Sequence, residues 1–185
     1  SLYAHQHRND NIINALILNS PFFDMNKPAW FKKLVIPIIA SIGKNLPNIP
    51  SPEGLAEGYA KSIHSEHFGE WDFNTDYKPI SGFKINLGWV SALHYGQRKL
   101  QAGLEISCPV LVMFSSKSVP PGKYHKSMHT ADPVLDVADI NNYADGLGSN
   151  VKKVEIKDGI HDLILSQKDV RSNVFKEMTT FIENI

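Results

Sequence analysis

"SCPVLVMFSS" spans Ser107 to Ser116. After Pro109 come Val110, Leu111, Val112, Met113 and Phe114, with no polar residue among them. A strand with one wet face alternates apolar and polar side chains, whereas a strand covered on both faces is apolar throughout, as inside parallel sheets. Parallel neighbours need long crossovers, and the flanking sequence supplies them. Upstream, "INALILNS" (Ile13 to Ser20) is a second short apolar run, broken by Pro21; downstream, "VKKVEIK" (Val151 to Lys157) is a third. Between and around them lie helical patterns. "SLYAHQHR" reads as the end of one helix. "LGWVSALHYGQRKLQAGL" sets Leu87, Val90, Leu93 and Leu100 on one face. A short helix runs from about Val137 to Tyr143. The last run carries Val170, Val174, Met178 and Phe181 every three to four residues. Short apolar strands separated by helices predict an α/β fold with a mostly parallel sheet.

The bulk composition narrows the function classes. The 185 residues suit one domain or most of one, and 42% of them are apolar, enough for a real core. Lys plus Arg and Asp plus Glu number 19 each. This balance gives no electrostatic case for nucleic acid or an anionic membrane. The longest apolar stretch, "LVIPIIASI" (Leu34 to Ile42), is too short to span a bilayer and is interrupted by Pro37. Cys108 is the single cysteine, so no intrachain disulfide forms, which favours a cytoplasmic setting. "SLYAHQHRND" has no signal pattern and begins inside a helical run, so the expectation is a fragment of a longer protein.

From Trp30 to about Lys78 the texture changes. "FKKLVIPIIASIGKNL" and "PEGLAEGYAKSIHSEH" read as helical pieces around the proline-rich break "PNIPSP". The segment is too apolar for a disordered linker and is expected to be an inserted helical subdomain.

In α/β sheets, functional residues gather at the carboxyl ends of strands. Three such ends are in view: Asn19-Ser20, the loop after Phe114, and the turn after Ile156. The last belongs to "VEIKDGIHDLILS" (Val154 to Ser166), which reads as strand, turn, histidine, and an apolar run opening a helix. Gly159 is expected to make the turn sharp and aim His161 over the sheet edge. The preceding loop supplies Asp132 in "ADPVLDV". A carboxylate on one imidazole nitrogen fixes the tautomer and stabilises the imidazolium, leaving the other nitrogen to take a proton from a nucleophile. Taken singly, each residue fits a surface loop; their order at successive strand ends favours the catalytic reading.

These segments resemble an α/β-hydrolase of the serine aminopeptidase and lysophospholipase-like branch, which includes monoacylglycerol-lipase-like enzymes. "CPVLVMFSS", the acid in "DPV" and "KDGIHDLILS" resemble its acid and histidine segments, and "ALILNSPFFD" resembles its strand after the nucleophile elbow. The resemblance implies the C-terminal part of an α/β-hydrolase sheet, mostly parallel, with helices on both faces. It makes 1–185 a partial domain, with 25–86 an inserted helical lid. It implies a chain order of Ser, Asp, His, with Asp132 and His161 as the latter two; Asp136 competes for the acid, and Asp139 more weakly. No G-x-S-x-G occurs, and the family's elbow would lie just before Ser1.

The expected parent is therefore a serine hydrolase acting on small ester or lipid-like substrates, without metal or cofactor, and the chain alone is expected to be inactive. Its expected partner is the missing N-terminal half or a second copy of itself. The same branch leaves open an aminopeptidase-type peptidase, and a non-catalytic binding module is the reading from another class. Phe22 and Phe23 fit core packing or an apolar substrate pocket equally; Trp89 also fits either, and Trp30 is expected in the core. His125 with His129, and His64 with Glu66 and His67, have metal-like spacings but fit polar surface faces better.

Overall fold

The computed structural model describes residues 1–51, 54 and 56–185. The unbroken apolar run forms the central strand β2 (Val110–Ser115), buried at every residue. β1 (Leu16–Asn19) and β3 (Val151–Ile156) flank it in parallel, in the order β1-β2-β3. Leu16 lies opposite Val110 and Asn19 opposite Met113; on the other side Val110 faces Val151 and Ser115 faces Ile156. β1 is shorter than the predicted Ile13–Ser20. It starts where Leu16 N donates to Pro109 O, and it ends at Ser20, whose φ is 44° and which precedes Pro21.

Alternate side chains of β2 build two cores. Val110, Val112 and Phe114 pack with Ala4 of α1 (Leu2–Gln6), Leu100 of α4 (Leu87–Gln101), and Ile140 and Ala144 of α5 (Val137–Ala144). Leu111 and Met113 pack on the opposite face with Ile156, Leu163, and Val174 and Phe181 of α6 (Lys168–Glu183). Helices thus cover both faces, which is why β2 is apolar from Val110 to Phe114. Each such buried aliphatic or aromatic side chain contributes about 1.5–3 kcal/mol. β3 is an edge strand and exposes Lys152 and Glu155, charges that discourage further pairing.

The chain between β1 and α4 is helical in part. Phe31–Val35 form a π turn that leads into α2 (Ile36–Asn45), with Pro37 in the first turn, where a missing N–H costs least. α2 lies against α4 through small residues. Ala40 is fully buried, and Gly43 leaves no room for a Cβ against the Leu87 backbone. The buried positions of α2 are Ile36, Ala40 and Gly43, and its other large side chains lie on a different stripe. Trp30, Leu34, Ile38 and Ile42, four residues apart, are exposed, and Trp30, expected in the core, is 61% exposed. The second helical piece shrinks to α3 (Glu57–Ile63), and the predicted run over Pro52, Glu53 and Leu55 lies outside the described residues. α3 stops because His64 turns extended and its imidazole bonds locally, to Phe73 O at 3.2 Å and from Glu66 N at 3.1 Å.

Candidate active site

The carboxyl ends of all three strands converge on one histidine. After β3 the chain reverses through Asp158, which takes the left-handed conformation with φ 57°. Gly159, expected to sharpen the turn, follows directly and does not itself take a positive φ. Glycine is needed there because an added Cβ would lie 2.7 Å from Leu163 Cδ2 and 3.1 Å from Ile156 O. The apolar run after His161 forms a single 3-10 turn (Leu163–Leu165) rather than opening the last helix, which starts at Lys168. Ser115, at the end of β2, is fully buried and donates its hydroxyl to Gly159 O at 2.7 Å, tying the histidine turn to the central strand.

Asp132 arrives by a longer route. The chain leaves β2, makes an excursion from Lys117 to Ala131, and returns beside its own start. Asp132 N donates to Lys117 O at 3.0 Å, and Val119 N donates to Asp132 O at 2.9 Å. The length of the loop therefore does not displace the carboxylate from the strand end. Asp132 is fully buried, and both of its oxygens are engaged. Oδ1 accepts from Val134 N at 2.7 Å and Leu135 N at 2.9 Å; Oδ2 lies 2.9 Å from His161 Nδ1. Two amides plus the imidazole hold the acid in one rotamer. No described residue bonds to His161 Nε2, and the imidazole is 23% exposed. The arrangement leaves a ring nitrogen, backed by a buried carboxylate, open to a reacting group.

The competing acids are used elsewhere. Asp136 caps α5, accepting from Ala138 N at 3.0 Å. Asp139 pairs with Lys32 at 2.8 Å, and Lys32 also pairs with Asp24 at 2.7 Å. Burial works against the Lys32 charge, but Asp139 and Asp24 outweigh it and raise the ammonium above its ordinary pKa.

Asn19 and Tyr59 hold the histidine turn at Asp162, and Trp71 holds the chain beyond it at Leu165. Asn19, at the end of β1, donates from Nδ2 to Asp162 Oδ1 at 2.7 Å and accepts from Leu163 N at 3.2 Å. Trp71 donates from Nε1 to Leu165 O at 2.8 Å. Tyr59 of α3 accepts from Asp162 N at 3.0 Å and sets its ring edge-on to His161, centroids 5.4 Å apart. Burial, then the Asp162 and Asp132 carboxylates, push the Tyr59 phenol far above its ordinary pKa, although the bond from Asp162 N works the other way. Asn19 occupies one of the strand ends that the sequence marks. Tyr59 and Trp71 gave no sequence signal, because their partners lie about a hundred residues away.

The apolar candidates separate. Phe23 is 2% exposed and belongs to the core with Leu100 and Leu104, so it packs rather than lines an open pocket. Phe22 is at the surface, and Trp89 is exposed in the first turn of α4. A cavity of about 670 Å³ has Ile63, Trp71, Met128, Ile160 and Leu165 in its wall; His161 and Asp132 do not line it. His125 bonds Ser127 Oγ and Pro120 O, and His129 bonds Tyr124 OH. Among the described residues no group of three or more His, Cys, Asp or Glu is placed to hold a metal. No helix among them is long and apolar enough to cross a membrane.

With this geometry the chain superposes on two solved lipases. A soluble variant of monoglyceride lipase from Saccharomyces cerevisiae, in complex with a substrate analog, matches with a TM-score of 0.61 at 17% identity, over 99% of this chain and 60% of that one. The Paleococcus ferrophilus monoacylglycerol lipase matches with a TM-score of 0.65 at 12% identity, over 97% of this chain and 62% of that one. The fold is that of an α/β-hydrolase. The chain spans about three fifths of the length of either lipase. No family model and no curated sequence matches it.

Proposed function

We propose that this chain is the C-terminal part of a serine hydrolase that cleaves carboxylic esters of the monoacylglycerol or lysophospholipid type. The observation that carries the reading is the buried Asp132 carboxylate on His161 Nδ1 with Nε2 left open at the strand ends. In the proposed mechanism a serine from a preceding segment attacks the ester carbonyl. His161 Nε2 takes the serine proton and passes it to the leaving alcohol. A water molecule, deprotonated by the same nitrogen, then releases the acid. Asp132 stays ionised throughout and holds the ring. Ser20 does not fit the nucleophile role: its Oγ is buried with no hydrogen-bond partner and does not meet His161. The chain alone is therefore inactive in this reading.

Two features support a preceding half. β1 pairs only with β2 among the described residues, and its residues are half-buried where those of β2 are fully buried. A further parallel strand fits that edge. In the same reading, residues 25–86 form a lid. The exposed stripe Trp30, Leu34, Ile38 and Ile42 supplies the apolar surface that a lipid-like substrate needs. The test is an ester panel on the full-length protein, from acetyl to long acyl chains, with His161→Ala as control. Hydrolysis that rises with acyl length and vanishes with His161→Ala supports the proposal. Activity on aminoacyl amides but not esters, or full activity without His161, overturns it.

A further inference from the structure

Tyr59 stands on α3, in the segment read above as a lid, yet its hydroxyl and one edge-to-face ring contact both fall on the histidine turn. Its hydroxyl oxygen accepts from the amide of Asp162, the peptide unit directly after His161. Its ring meets the imidazole at an interplanar angle of 86°, the edge-to-face arrangement that the aromatic quadrupole favours. Asp132 fixes only Nδ1 of the ring, so the imidazole can still swing about that bond. The Tyr59 contacts remove this freedom in two ways. The hydrogen bond sets the orientation of the His161–Asp162 peptide, and with it the direction of the His161 side chain. The ring closes one side of the imidazole to water. Asp162 is also held from β1 by Asn19, so the lid and the sheet grip one residue together. Lys78 Nζ, from the same segment, sits 5.8 Å above the Tyr59 ring and braces it.

We infer that Tyr59 is a positioning residue that couples the segment over the sheet to His161, aligning the imidazole when α3 is seated and releasing it when α3 lifts. The inference rests on the hydrolase reading for its kinetic consequence but not for its structural one. Movement of α3 breaks the bond to Asp162 N and removes the ring from the imidazole in one step, so proton transfer is efficient only under a closed cover.

The experiment uses the full-length protein with Tyr59→Phe, which keeps the ring and deletes the hydroxyl, and Tyr59→Leu, which deletes both. Trp71→Phe is the control: it removes a different link between the same segment and the same turn, at Leu165 O. Amide exchange at Asp162 and the Nδ1 proton signal of His161 are read by NMR, and kcat and KM on a p-nitrophenyl ester are measured beside them. Tyr59→Phe is expected to speed Asp162 amide exchange by about tenfold. Its kcat is expected to fall by a similar factor, with KM changed less than about twofold. Tyr59→Leu is expected to lower kcat by about a hundredfold and broaden the His161 proton signal. Trp71→Phe is expected to leave Asp162 exchange and the His161 signal unchanged. The inference is overturned if both Tyr59 variants leave the two NMR signals as in the wild type. It also falls if they raise KM at constant kcat, or if Trp71→Phe reproduces every effect. If the NMR changes occur in a protein that cleaves no ester, the positioning role stands and the hydrolase reading falls. If esters are cleaved and the NMR signals do not move, the reverse holds.

Discussion

Replacing Asp132 with Asn and with Ala separates the two tasks of this carboxylate. Oδ1 accepts two backbone amides, and Oδ2 accepts the imidazole. In Asp132→Asn the amide oxygen keeps Val134 N and Leu135 N, while an NH₂ replaces Oδ2. That group donates, so His161 must present a bare Nδ1 and move its proton to Nε2. The stability cost is the exchange of a charge-assisted bond for a neutral one, about 1 kcal/mol. In Asp132→Ala all three bonds go, and two amides lose their acceptor in a buried place; at about 1–2 kcal/mol each plus the imidazole bond, the cost is about 3–5 kcal/mol. For a chain of this size 1 kcal/mol shifts Tm by about 2–4 °C, so Asn lowers Tm by about 3 °C and Ala by about 10 °C. In the full-length protein both should lower esterase activity by about 10⁴-fold, Asn because it forces the tautomer whose Nε2 carries the proton, and Ala because nothing then holds the ring. Calorimetry, imidazole ¹⁵N shifts and ester hydrolysis read the three quantities. The reasoning is refuted if Asp132→Asn melts as low as Asp132→Ala, or keeps its proton on Nδ1, or stays within tenfold of wild-type activity.

Two other perturbations test the supports of the site. Gly159→Ala should destabilise by about 1–3 kcal/mol, because its Cβ meets packed Leu163 and Ile156, whereas Asp158→Gly should be tolerated or stabilising at that positive φ; equal Tm for Gly159→Ala and wild type would contradict the packing argument. Alkaline titration should show Tyr59 protonated in the folded state after exposed tyrosines have ionised. Its folded pKa is raised, so its contribution is intact below the unfolded phenol value of about 10 and is lost above it, at up to about 1.4 kcal/mol per pH unit. Lys32, also raised, acts in the same direction. Tyr59→Phe should flatten the loss of stability above pH about 10, and an unchanged slope measured by chemical denaturation would sink the assignment.

The sheet is legible because β2 is apolar from Val110 to Phe114, a pattern that cover on both faces allows. The pairing of Asp132 with His161 was legible from their order at strand ends. Its geometry was not, because nothing local says that the loop from Lys117 returns to bridge Ser118 and Asp132. Gly159 marks the turn in the sequence, but the reason for a glycine, close approach to Leu163 and Ile156 with the positive φ at Asp158, shows only in the fold. Hydrophobicity alone puts Trp30 in the core, whereas in the structure it joins Leu34, Ile38 and Ile42 on an exposed stripe while Ile36, Ala40 and Gly43 take the buried positions. Tyr59 was invisible, since its meaning lies wholly in the distant Asp162 amide.

Reaction of the full-length protein with a fluorophosphonate, followed by peptide mapping, tests the central claim most directly. The account predicts one phosphonylated serine, N-terminal to the stretch that begins at Ser1, with labelling abolished in His161→Ala and strongly slowed in Asp132→Asn. Labelling within residues 1–185, or labelling that persists at the wild-type rate in His161→Ala, would contradict it.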